Sequence, residues 1–230
     1  MRTAASIAIL IATSTAAAQT SPNAIEIVVD PPIIERGESA TIELRAHFES
    51  RVDFAIAYVF TSLVCDTGSD YLSDHRLLSP MDGPGTQRGF ETIAGIENIV
   101  AAQIQFHDIR ADPTDPMPFW SATYTANHPA PVFGWEIAFQ TRTARYSVFE
   151  CEYCASYHSR LHLLEEGNAT LTVVACRADI NQDRQLDLFD YLAFFNAFDA
   201  GEAIADFDFD GELTVFDFLA FQNRFDAGCS

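Results

Sequence analysis

Apolar residues along this chain keep two different rhythms, and the change falls near residue 175. Before it, short runs rich in β-branched and aromatic residues recur at 25–29, 40–48, 52–64, 96–106, 119–124, 135–141, 144–149 and 169–174. Pro31-Pro32, Pro80, Asp82-Gly83-Pro84-Gly85 and Asp112-Pro113 punctuate them, and helical periodicity is nearly absent. Such runs, separated by turn formers, predict about eight strands and an antiparallel β-sandwich over 19–175. Past residue 175 the period becomes helical. Leu188, Tyr191, Leu192, Phe195 and Phe198 recur at helix spacing, as do Val215, Phe218, Leu219, Gln222 and Phe225. Phe-Asp-Ala-Gly closes both stretches, placing Gly201 and Gly228 where a helix C-cap favours glycine.

Ahead of each predicted helix lies an acidic stretch, and the two are 27 residues apart. The first offers Asp179, Asn181, Asp183, Gln185, Asp187 and Asp190. The second offers Asp206, Asp208, Asp210, Glu212, Thr214 and Asp217. Both sets fall at positions 1, 3, 5, 7, 9 and 12 of a twelve-residue loop, the oxygen-ligand spacing of a calcium loop. A hard cation needs about six to eight oxygens, which a loop supplies by turning alternate residues inward. Position 7 contributes only its backbone carbonyl, so Gln185 and Glu212 are free to differ. Position 9 often acts through water, so Thr214 can replace an aspartate. Position 6 requires a sharp turn that suits Gly211, whereas Arg184 in the first copy predicts a more strained and weaker loop. Leu186 and Leu213, both at position 8, are expected to face one another across a short backbone bridge. No entering helix fits ahead of either loop, so the repeat unit reads as loop then helix.

That unit resembles a type I dockerin, the calcium-dependent module that plugs a secreted protein into a cohesin domain. The resemblance spans 176–230 and is closest to the planctomycete-type variant ending in Gly-Cys, here Gly228 and Cys229. It implies a small α-helical module of two loop–helix repeats holding two calcium ions. By the same resemblance the recognition pairs fall on Leu188 and Phe189, and on Val215 and Phe216. These are apolar where such modules often carry Ser or Thr, and Arg224 alone stands for the basic residues expected further along. Phe194 and Phe221, equivalent in the two repeats and off the main apolar stripe, are further candidates for partner contact, with core filling against the N-terminal sandwich as the alternative.

Composition narrows the partners. A formal net charge of -20, with no lysine, excludes a phosphate-binding surface of the kind nucleic acids require. From Cys176 onward twelve carboxylates oppose three arginines, so two divalent ions would relieve strong self-repulsion. Residues 1–18 read as a secretory leader, with Arg2, an apolar stretch over 4–12 and Ala16-Ala17-Ala18 before the cut. Secretion to the cell surface or beyond follows as an expectation.

Five cysteines suit that oxidising compartment. Cys176 and Cys229 bracket the C-terminal module, where a disulfide would close a loop of about 50 residues and contribute about 4 kcal/mol. Cys65 is expected to pair with Cys151 or Cys154, leaving one thiol. A zinc alternative is Cys151, Cys154, His158 and His162, with the histidines one helical turn apart, although the gap to the first histidine is short for a finger.

The N-terminal opening, Ile-Glu-Ile-Val-Val-Asp-Pro-Pro followed by Glu-Arg-Gly-Glu-Ser-Ala-Thr-Ile-Glu-Leu, resembles the first two strands of Ig-like or cohesin-like sandwiches. No nucleophile elbow, zinc-protease helix or phosphate-cradling glycine loop occurs, and no enzyme is expected. Two functions remain. In one, the module anchors the sandwich to a cohesin-like or other cell-surface protein. In the other, the sandwich binds or degrades polysaccharide, with Trp120, Tyr124, Phe133 and Trp135 as a stacking platform in competition with a place in the core.

Overall fold

The computed structural model describes residues 23–48, 54–102, 116–127, 135–150 and 158–228. The leader, Phe133, Cys151, Cys154 and Cys229 lie outside the described residues. The chain divides into two compact units, Thr20–Ala175 and, at the C-terminal end, Cys176–Ser230.

The first unit is a β-sandwich. One sheet has the order β1 (Ala24–Asp30), β3 (Ser39–His47), β8 (Met117–Thr125), β5 (Leu72–Leu77). The other runs β2 (Ile33–Glu35), β11 (Asn168–Val174), β9 (Trp135–Glu150), β4 (Phe54–Cys65), β7 (Gly95–Ala102), β6 (Gln87–Thr92), with β10 (His158–Leu163) paired to β9. All pairings are antiparallel except β2 with β11. Alternation explains the layering. Along β3, Ala40, Ile42, Leu44 and Ala46 are buried while Ser39 and Thr41 face water. Ile42, Leu44, Trp120 and Tyr124 from one sheet meet Val59, Leu63, Ile99, Ile137, Phe139 and Leu171 from the other in a single core. Trp120 donates its indole N–H to the Arg88 carbonyl at 2.9 Å, so this fully buried ring has its polar atom satisfied across the sandwich.

Several expectations change here. The runs 135–141 and 144–149 form one strand of 16 residues, β9, which carries Thr143 at φ 54 instead of a turn. Strands β2, β5, β6 and β10 were not legible, because short or charged edge segments lack the apolar signature. Cys65 is a free, buried thiol 3.1 Å from the Thr67 hydroxyl, so it makes no disulfide. His158 and His162 lie on a β-strand and not on a helix, which sets them about 13 Å apart and removes the one-turn geometry of a zinc finger. Trp120 and Tyr124 belong to the core and offer no stacking face, and Trp135 packs against that core partly buried. Burial also pushes the Tyr124 hydroxyl up to about 12.

The second unit contains α1 (Leu188–Ala200) and α2 (Val215–Ala227). Gly201 ends α1 in the left-handed region at φ 73, and Gly228 caps α2. A single 3-10 turn, Ala203–Ala205, precedes the second acidic stretch. Cys176 is disulfide-bonded.

Candidate functional site

The two acidic stretches fold alike, residue for residue. Position 4 is left-handed in both, Gln182 at φ 60 and Phe209 at φ 61, and so is position 6, Arg184 at φ 71 and Gly211 at φ 85. Only glycine adopts that region without steric cost, so Arg184 carries the strain expected of it. In both loops the amide at position 6 donates to the first aspartate: Arg184 to Asp179 at 2.8 Å and Gly211 to Asp206 at 3.1 Å. The amide at position 7 donates to position 5, Gln185 to Asp183 at 2.9 Å and Glu212 to Asp210 at 2.8 Å. Side-chain oxygens thus bind the loop's own amides and fix its tight turn.

The twelfth residues do different work. Asp190 and Asp217 are fully buried and stand third in their helices, where their carboxylates complete capping boxes with Asp187 and Thr214. Asp217 accepts amides of Phe207 at 2.7 Å, Asp208 at 3.3 Å and Thr214 at 2.8 Å. Asp190 accepts those of Asn181 at 3.3 Å and Asp187 at 3.0 Å. Each aspartate therefore ties the start of its loop to the start of its helix, satisfying orphan donors that a helix N-terminus leaves.

The loops differ in what remains unspent. Asp206, Asp208 and Asp210 bring carboxylate oxygens within 4.8 Å of one another, and this is the one such group of three among the described residues. Asp206 Oδ1 is buried and has no hydrogen-bond partner. A buried, unpaired carboxylate oxygen beside two other carboxylates is costly unless a cation joins it. The donor set is all oxygen, which fits a hard divalent ion. In the first loop both oxygens of Asp179 accept amides, from Asp183 at 3.0 Å and Arg184 at 2.8 Å. There the Asn181 side-chain amide donates to Asp183 at 3.2 Å. Burial raises the carboxyls of both Asp179 and Asp206 above the ordinary aspartate value; loop amides oppose the shift, and the charges of Asp190 and Asp217 respectively reinforce it.

Leu186 and Leu213 form no backbone bridge. Both pack partly buried on the helical core, and the isolated bridges among the described residues lie elsewhere.

Phe194 and Phe221, named as candidates for partner contact, are instead the centre of the helical unit's own core. Both are fully buried, and their rings stack at 4.4 Å with 10° between planes. The cause is the pair of buried aspartates. Each phenylalanine lies four residues beyond one, on the same helix face, so turning Asp190 and Asp217 toward the loops turns these rings inward. Phe207, Tyr191 and Phe225 complete the aromatic cluster. The same rotation puts Leu188, Phe189, Leu192 and Phe195 of α1, with Val215, Phe216 and Leu219 of α2, at the surface, each at least 46% exposed. Leu188, Phe189, Val215 and Phe216 are thus exposed to solvent. Leu192, Phe195 and Leu219 join them, which the sequence stripe had assigned to the interior; the inward aspartate at position 12 is the signal that marks the true buried face.

No family model matches this chain, and no curated protein does. Solved structures of cohesins resemble it over the β unit. A cohesin module from a family 33 glycoside hydrolase of Clostridium perfringens is 10% identical, with a TM-score of 0.46, covering 67% of this chain and 98% of that one. A non-cellulosomal cohesin from the archaeon Archaeoglobus fulgidus is 9% identical, with a TM-score of 0.36, covering 66% and 91%. A chain of a type I cohesin–dockerin complex from Clostridium thermocellum is 11% identical, with a TM-score of 0.39, covering 66% and 100%. No described helix is long and apolar enough to cross a membrane.

Proposed function

We propose that the C-terminal unit is a calcium-dependent docking module that anchors the β-sandwich to a protein partner outside the cell, a cohesin-like or other cell-surface protein. Asp206, Asp208, Asp210 and Asp217, the Glu212 carbonyl and Thr214 would hold one ion. Asp179, Asn181, Asp183, Asp187 and Asp190, with the Gln185 carbonyl, would hold the second. The bound ions supply positive charge that cancels part of a twelve-to-three excess of carboxylates over arginines. The observation that carries this reading is the buried, unpartnered Asp206 Oδ1 among three converging carboxylates. With the loops filled, α1 and α2 would be held in one arrangement, and their outward apolar residues would form the contact surface. Large apolar side chains left exposed on both helices are the kind of surface that marks a protein interaction site. A disulfide between Cys176 and Cys229 would staple the module's ends.

The test is calorimetric titration of the full chain with calcium, and with magnesium as control, followed by binding to purified cohesins and to a polysaccharide panel in calcium and in chelator. Uptake of two calcium ions with calcium-dependent protein binding is expected. No calcium uptake at millimolar concentration overturns the proposal. Polysaccharide binding that ignores chelator, with no protein capture, favours the carbohydrate reading instead.

A further inference from the structure

Arg177 lies two residues ahead of Asp179, in the lead-in to the first loop, yet it grips the second. Its guanidinium donates to the carbonyl of Phe207 at 3.2 Å and to that of Asp206 at 3.2 Å. The same group sits 4.3 Å from the Phe207 ring centre and 4.0 Å from that of Phe209. Asp206 carries the unpartnered oxygen, and the Phe207 amide donates to Asp217. The ring of Phe207 packs on Phe194 at 5.7 Å and Phe221 at 5.3 Å. Ala178, joining Arg177 to the first loop, is fully buried. The repeat-equivalent of Arg177 is Ile204, 27 residues on, whose side chain has no donor, so this side-chain tie runs in one direction only.

Resting on the calcium reading above, we propose that Arg177 is a positioning residue that couples the two loops. It fixes the first turn of the second loop, and occupancy of that loop is passed through Ala178 to the first. A planar fork with several donors can hold two carbonyls and lie against two rings at once, which a point charge on a flexible stem cannot. Its charge acts in the opposite sense, since a cation near a cation site weakens that site by Coulomb repulsion. Removing Arg177 therefore has opposite signs under the two effects. The amount of loop backbone it holds makes position the larger one.

Calorimetric calcium titration of the full chain decides this. In an Asp179→Ala background, which silences the first loop, Arg177→Met is expected to weaken the second loop roughly tenfold. Arg177→Lys, which keeps the charge without the fork, is expected to lose several-fold. In the otherwise unaltered chain, Asp206→Ala should weaken the first loop, and in Arg177→Met the same change should have no further effect on it. A loss of module stability alone would weaken both loops and leave that dependence intact. Tighter or unchanged binding by the second loop in Arg177→Met overturns the proposal, as does a first loop that responds to Asp206→Ala equally with and without Arg177. If Arg177→Met does not fold, as judged by its helix band in saturating calcium, wild-type affinity in Arg177→Lys overturns it. Absence of calcium uptake by the unaltered chain overturns the calcium reading and this proposal together; uptake without coupling overturns this one alone.

Discussion

Replacing Asp217 by alanine removes the carboxylate on which the second loop and α2 both hang. Three backbone amides, those of Phe207, Asp208 and Thr214, lose their acceptor, and none of them can recruit water easily where the side chain was fully buried. Loss of the capping interaction costs about 1 kcal/mol. Stranding the two short bonds costs on the order of 1–3 kcal/mol each. The sum, roughly 3–7 kcal/mol, is comparable to the whole stability of a unit of this size, about 5 kcal/mol. The assay is thermal melting of the full chain in saturating calcium, followed by the helix band of far-UV circular dichroism, since α1 and α2 are the α-helices among the described residues. The midpoint of that signal should fall by at least about 12 °C. Glu212→Ala, at an exposed position, serves as the matched control and should shift it by no more than a few degrees. If Asp217→Ala melts together with Glu212→Ala, the buried carboxylate does not organise the module and the account of the loops is wrong.

Arg184→Gly should relieve the left-handed strain at φ 71, raising the melting midpoint by a few degrees and tightening the first loop's calcium affinity. Phe221→Ala should destabilise the module by about 3–5 kcal/mol, measured by the same melt. Phe216→Ser, at an exposed site, should leave the melt unchanged and reduce partner binding. Because burial raises the carboxyls of Asp179 and Asp206, the folded, metal-free module holds its protons more tightly than the unfolded chain. Their contribution to stability is therefore fully present below the ordinary aspartate value and is lost as pH rises through the raised one. In chelator the helix signal should thus melt higher at mildly acidic pH than at neutrality, and the reverse order would contradict the assigned burial.

Loop spacing, helix placement and closing glycines are local properties, set within a dozen residues of chain, and the sequence alone determined them. The helices start where each repeat places them, and Gly201 and Gly228 follow at the C-termini. The sandwich class was legible for the same reason, through strand-length apolar runs. What remained for the tertiary structure were facts that depend on distant partners. Two aspartates reaching back to their own loops decided which helix face turned inward, and so exchanged the fates of Phe194 and Phe221 with those of Leu192 and Phe195. Pairing with β9, β7 and β8 made strands of β10, β6 and β5, whose own residues carry little strand signal. Arg177 meets Asp206 and Phe207 across 29 and 30 residues, a contact no local period announces. Spacing along a chain fixes what a segment can become; only packing against remote segments fixes which of its sides is spent on the interior and which is left for a partner.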